Sequence, residues 1–251
     1  MSQTLCEDCV KGVIHDGTPE GKIEYIADVM CYIATPTTDY AKEKVLLYFT
    51  DAFGIPLVNN KLLADGFARN GFKTVIIDYH NQDSIPVGTM HRPSQGYDLK
   101  GWLAKHTPAH CRPPIDKVVE ALKAQGVTKF GATGYCMGGY YVFQLGMDGV
   151  VSAASAHHPS FIEVPADLEK YAKQAHAPLL LNTCETDWQF AQDAQAKADE
   201  VFADFAPGYK REYFEGCDHG FAVRGDVSVP KIKEGKEGAF KATVEWMRKY
   251  L

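Results

Sequence analysis

Phe130-Gly-Ala-Thr-Gly-Tyr-Cys-Met-Gly-Gly-Tyr-Tyr-Val-Phe143 is the stretch on which the reading of the whole chain turns. An apolar run beginning near Val127 has the composition of a strand, breaks at Gly134-Tyr-Cys-Met-Gly138, and resumes over Tyr140–Leu145 as a buried helix. A strand joined to a helix by so sharp a turn holds its central residue, Cys136, at a strained backbone position. Cβ atoms two residues before and after would crowd that turn, so Gly134 and Gly138 fit there. The same turn sets the sulfur at a helix N-terminus, where the dipole and the open N–H groups favour a thiolate. A buried cysteine with incidental glycines is the plainer alternative. The rest of the chain decides between them.

Working outward, Lys44-Val-Leu-Leu-Tyr-Phe-Thr50 is apolar throughout, as expected of a strand covered on both faces. After Asp51-Ala-Phe-Gly54, a helix is expected from about Val58 to Asn70, with Leu62, Leu63 and Phe67 at helical spacing. Gly71 ends it, and Phe72–Asp78 is the next buried strand. Strand, helix, glycine, strand is one βαβ unit and makes the sheet parallel. Ile23–Ile33 suggests one or two earlier strands. Tyr79–Pro114 is irregular and rich in Pro, Gly and His, which suits a binding loop with short helices. A helix is expected over Ile115–Gln125, beginning only after Pro113-Pro114. Further strands are expected at Val127–Thr133, Val150–Ala156, Pro178–Thr183 and Lys210–Phe214, with helices over Ala191–Phe205 and Glu234–Tyr250. No repeat, low-complexity tract or linker interrupts this pattern, so a single α/β domain over 1–251 is expected.

Composition narrows the function. The chain has 251 residues, 45% hydrophobic and 23% charged, and a net charge of −6 without any Lys/Arg cluster, which argues against a nucleic-acid partner. No apolar run approaches the about 18 residues of a membrane span. The opening Met-Ser-Gln-Thr-Leu-Cys-Glu-Asp lacks the basic and apolar regions of a secretory signal. Seven cysteines without framework spacing read as reduced thiols, and the expected location is cytoplasmic. Cys6 and Cys9, with His15 as a third candidate, fall short of the four ligands of a structural zinc, so no metal is expected. A redox role for that pair is a separate alternative.

In open parallel sheets, ligands bind outside the carboxyl ends of the strands. Those ends carry Asp51, Asp78, Cys136, His157, His158, Asp187 and His219. Cys136, Asp187 and His219 follow the order nucleophile, acid, histidine of an α/β-hydrolase triad. Cys136 would attack a carbonyl carbon, His219 would carry the proton, and Asp187 would fix the imidazole's tautomer. Glu185 is the alternative acid; Asp187 lies further into the loop. The backbone N–H groups of Met137 and Ala52 are the candidate oxyanion donors. His157 and His158 are expected to be loop or wall residues, and Cys184 and Cys217 packing thiols.

With these motifs together, the chain resembles the dienelactone hydrolase family over nearly its whole length. The resemblance rests on Gly134-Tyr-Cys-Met-Gly-Gly139, Glu185-Thr-Asp187, His219-Gly-Phe221 and Thr50-Asp-Ala-Phe-Gly54. Cys6-x-x-Cys9-x-x-Gly12-x-x-His15-x-Gly-Thr-Pro19, His158-Pro-Ser160 and Phe221-Ala-Val-Arg-Gly-Asp226 look like the fungal branch. The resemblance implies an α/β-hydrolase fold, with a mostly parallel central sheet and helices on both faces. It also implies a Cys136–Asp187–His219 triad and no cofactor. In bacterial members a glutamate holds the cysteine as a neutral thiol until substrate arrives; the matching residue here is Asp51, one methylene shorter. Bacterial members also bind the dienelactone carboxylate with two arginines. Arg224 is the offset counterpart of one, and Asp78–Gln82, where the other falls, has no arginine. The expected substrate is a small lactone or ester, cleaved by a monomer or homodimer. The alternative is a non-catalytic small-molecule-binding protein that keeps the pocket.

Overall fold

The computed structural model describes residues 11–91 and 97–251. Cys6 and Cys9 lie outside the described residues. The described chain forms one eight-stranded sheet in the order β1-β2-β4-β3-β5-β6-β7-β8. The strands are β1 (Lys22–Ile26), β2 (Val29–Ala34), β3 (Lys44–Phe49), β4 (Thr74–Ile77), β5 (Lys129–Tyr135), β6 (Ala153–His157), β7 (Leu179–Thr186) and β8 (Tyr209–Asp218). β1 and β2 pair antiparallel, as do β2 and β4, and every other neighbouring pair is parallel. The helices are α1 (Val58–Arg69), α2 (Leu99–Lys105), α3 (Pro108–Ala124), α4 (Met137–Met147), α5 (Ala166–Gln174), α6 (Gln192–Val201), α7 (Phe221–Arg224) and α8 (Pro230–Tyr250).

The two faces of β3 show how the sheet is covered. Val45 through Phe49 are all fully buried, and consecutive side chains alternate between faces. Tyr48 meets Phe67 of α1 at 6.4 Å between ring centroids, whereas its neighbour Phe49 meets Tyr141 of α4 at 6.3 Å. Helices α1 and α4 therefore lie on opposite faces. Phe67 continues to Phe240 of α8 at 4.7 Å, which puts α8 on the α1 side. Fully burying such side chains contributes about 1.5–3 kcal/mol each. The chain turns from β3 to β4 on one side, then crosses to β5 on the other, so strand order reverses between β3 and β5. A crevice opens at the carboxyl ends of the strands flanking such a reversal. Asp51 follows one of those strands and Cys136 the other.

Several element boundaries differ from the sequence expectation. Helix α3 starts at Pro108, with Pro113 and Pro114 inside it. The two prolines remove donors that would reach Ala109 and His110, both exposed, where water can meet the freed carbonyls. Pro108 itself takes the first helical position, where the missing N–H costs nothing. Pro230 does the same for α8, which begins four positions earlier than Glu234. Helix α5 is absent from the sequence expectation, although Asp167 and Glu169 in its first turn and the buried Leu168 and Tyr171 mark an amphipathic helix. Helix α7, only 4 residues long, is too short to signal itself. No helix among the described residues is long and apolar enough to cross a membrane.

Candidate active site

The turn after β5 is as tight as its glycines suggest. Cys136 sits at φ 54° and ψ −121°, immediately before α4. A Cβ on Gly134 would lie 2.3 Å from the carbonyl oxygen of Gly138. One on Gly138 would lie 2.3 Å from the carbonyl oxygen of Phe49, the last residue of β3. Only glycines let α4 start against the end of β3. That contact sets the head of α4 against Phe49 and Thr50, the residues just before Asp51 and Ala52. The Cys136 N–H donates to the His157 carbonyl at 3.1 Å and fixes the turn against β6. Holding a non-glycine residue at such an angle costs about 1–3 kcal/mol.

Asp187 follows β7, and His219 follows β8 after a register shift between Cys184 and Thr186. The His219 backbone N–H donates to the Thr186 carbonyl at 3.0 Å, so the two loops are tied before their side chains meet. His219 Nδ1 lies 3.0 Å from both Asp187 carboxylate oxygens. Asp187 Oδ1 also accepts from the N–H groups of Gln189 at 2.9 Å and Phe190 at 3.2 Å, which locks the carboxylate's rotation. The alternative acid, Glu185, is exposed and accepts from the Gly216 N–H at 2.7 Å. It supports β8 instead of the imidazole. Burial pulls His219 toward neutrality, but the Asp187 carboxylate and the Cys136 sulfur outweigh it, lifting its pKa from 6.5 to about 10. The other ring nitrogen, Nε2, is buried with no oxygen or nitrogen partner, and a side-chain hydrogen bond between the imidazole and the Cys136 sulfur adds to the rise.

Asp51 is fully buried, with Oδ2 accepting from Arg224 Nη1 at 2.8 Å and Oδ1 from Asn60 Nδ2 at 3.2 Å. Burial raises the pKa of this carboxyl; Arg224 opposes the rise and the nearby Cys136 sulfur adds to it. Arg224, the sequence candidate for carboxylate binding, is 1% exposed. Its Nε donates to the Lys11 carbonyl at 2.6 Å. The segment 11–15 straps over α7: Val13 N–H donates to the Arg224 carbonyl at 2.9 Å, and His15 Nε2 lies 2.8 Å from the Gly225 carbonyl oxygen. Asn59 of α1 clasps the strap, donating to the Val13 carbonyl at 2.9 Å and accepting from the His15 N–H at 2.8 Å. His15 thus has a structural occupation. Among the described residues, no group of three or more His, Cys, Asp or Glu side chains is arranged to hold a metal ion.

His157 and His158, expected to be loop or wall residues, are both fully buried. His157 stacks on Tyr135 at 4.2 Å, and its Nε2 meets Thr133 at 3.2 Å and Thr243 at 3.1 Å beneath the sheet's edge of the site. His158 meets the His219 ring edge to face at 4.8 Å and Phe221 at 5.6 Å. Burial, reinforced by the charges of His219, Arg224 and His157, holds His158 neutral, its pKa well below 6.5. Ser160, quoted in the sequence only as part of His158-Pro-Ser160, has its Oγ 3.3 Å from the Cys136 sulfur.

The buried histidines have a consequence for acid stability. Burial lowers His80 and His157 from 6.5 to about 3, and His158 is lowered as well. Each binds a proton unfolded but not folded, so stability falls as pH drops below about 6.5. The expected slope is about 1.4 kcal/mol per pH unit for each histidine. Asp51 and Asp78 offset part of it, because their raised carboxyls take up protons more readily when folded. Urea unfolding at pH 7, 6 and 5 reads this directly, and a flat dependence would contradict it.

An eight-stranded, mostly parallel sheet with a Gly-flanked turn at its switch point and an acid–histidine pair beyond it defines an α/β-hydrolase. The dienelactone hydrolase family model matches residues 29–251. Hydrolase pyvD of Aspergillus violaceofuscus is 31% identical over 97% of this chain and 96% of its own length. Dienlactone hydrolase 1 of Gibberella moniliformis is 32% identical over 98% of this chain and 94% of its own. Among solved structures, a putative dienelactone hydrolase from Klebsiella pneumoniae superimposes with a TM-score of 0.73 at 16% identity, covering 93% of this chain and all (100%) of that one. At that identity the likeness speaks for the fold. The chain belongs to the dienelactone hydrolase family and is a hydrolase of carboxylic esters or lactones.

Proposed function

We propose that the protein cleaves a small carboxylic ester or lactone through an acyl-Cys136 intermediate, with His219 as proton carrier and Asp187 as its orienting acid. The observation that carries this reading is the buried Asp187–His219 pair, whose imidazole also responds to the Cys136 sulfur. An imidazole with so raised a pKa favours a resting imidazolium facing a thiolate. The thiolate attacks the carbonyl carbon, and the N–H groups of Ala52 and Met137 meet the resulting oxyanion. His219 gives its proton to the departing alkoxide as the C–O bond breaks. Neutral His219 then takes a proton from water as it attacks the thioester. Collapse releases the acid and restores thiolate and imidazolium. No cofactor takes part.

The burial of Arg224 supports a role in holding Asp51 beside the sulfur, ahead of one in meeting a substrate carboxylate. The five described cysteines are all buried and in the thiol state, which supports work in the reducing cytoplasm. Intact-mass measurement after rapid quenching with an aryl acetate tests the intermediate. The expected result is one acetyl group, mapped to Cys136 and discharged on standing. Turnover with acetyl on a serine, or none on the protein, would overturn the acyl-cysteine route.

A further inference from the structure

Beside the nucleophile lies a hydroxyl that the triad does not use. The Ser160 Oγ is 3.3 Å from the Cys136 sulfur, and both residues are fully buried. Three features show that this contact is built. The Ser160 N–H donates to the Cys136 carbonyl at 3.0 Å, so the backbone is anchored at the same residue. His158 at φ 34° and Phe161 at φ 66° bend the loop on either side, two left-handed residues spent within four positions. Gly139, which the turn at Cys136 does not require, leaves room for Pro159: a Cβ there would lie 2.8 Å from the proline Cβ. The second glycine of Gly138-Gly139 thus serves the Ser160 loop.

We propose that Ser160 is a catalytic residue, its hydroxyl donating to the Cys136 sulfur and stabilising the thiolate. This rests on the acyl-cysteine reading above. The local chemistry gives the bond work to do. Burial and the Asp51 carboxylate oppose a negative sulfur, while His219 and the head of α4 favour it. A donated O–H adds to the favourable side, since hydrogen bonds to an ionised acceptor are about twice as strong as neutral ones. When the sulfur becomes acylated its charge is lost, the bond weakens, and the hydroxyl is released. Ser160 therefore favours the attacking form of the enzyme over the acylated one.

The test is the pH dependence of Cys136 alkylation by iodoacetamide, read by peptide mass spectrometry at Cys136 in wild type, Ser160→Ala and Ser160→Thr. The backbone bond to Cys136 survives all three, so the turn is retained. In Ser160→Ala the midpoint is expected to rise by about one pH unit, with alkylation below it about tenfold slower. Ser160→Thr, which keeps the hydroxyl, is expected to stay near wild type. An unchanged or lowered midpoint in Ser160→Ala would overturn the proposal while leaving the nucleophile in place. Wild-type Cys136 that resists alkylation at every pH would remove the nucleophile and the proposal together.

Discussion

Cys136→Ala is expected to lower kcat/KM toward an aryl acetate by about 10⁴-fold or more, with the fold intact. The size follows from what is removed. Without the sulfur no acyl-enzyme forms, and only binding and the oxyanion donors remain, a residue of catalysis that in nucleophilic hydrolases is small beside the whole. The fold survives because the strain at φ 54° comes from the Cβ, which alanine shares with cysteine. Nothing larger than a sulfur leaves the buried site. Comparing wild type and variant with dienelactone and with an aryl acetate checks the prediction. Equal rates would remove Cys136 from the chemistry and favour a protein that only binds its ligand.

Arg224→Met is expected to cost about 3–5 kcal/mol of stability, the penalty for leaving a buried charge without its partner. For a chain of this length that is about 10 °C in Tm. The charge left behind is Asp51, which is fully buried. Its carboxyl, already raised, would rise further once the guanidinium is gone. A group with a raised folded pKa binds its proton more tightly folded than unfolded. The deficit should therefore shrink as pH falls from neutral toward the ordinary carboxylate value of 3.8. Adding Asp51→Asn should recover most of the loss, since replacing both members of a buried pair is often near neutral. The bond from Arg224 to the Lys11 carbonyl stays lost, worth about 1 kcal/mol. Urea unfolding of both singles and the double decides it; penalties that simply add would show that the pair is not the source.

The fold was legible where physics leaves few choices. The all-apolar run at Val45–Phe49 has no place except a doubly covered strand, and Gly134 and Gly138 have no reason to flank a cysteine unless Cβ atoms are excluded. The Asp187–His219 contact was readable because both residues lie just beyond strand ends, where a parallel sheet gathers its loops. The contents of the loops were not. Ser160 reaches the sulfur through two left-handed residues, neither of them glycine, and no residue type announces such angles. The helix through Pro113 and Pro114 ran against a rule that fails only where the freed carbonyls face water. The Asp51–Arg224 pair joins residues 173 positions apart, and no local pattern encodes a partner at that distance.

The strap of residues 11–15 also sets when the enzyme can be complete. Its carbonyl at Lys11 is bonded by Arg224, 213 positions later. At about 5–20 residues per second of synthesis, that separation corresponds to about 10–40 s. Strands β3 to β7 can assemble meanwhile through their own βα units, but Asp51 has no cation and His219 does not yet exist. The site closes only once His219 and α7 have been made. A ribosome-bound chain halted before α7 is expected to hold much of the sheet and no activity.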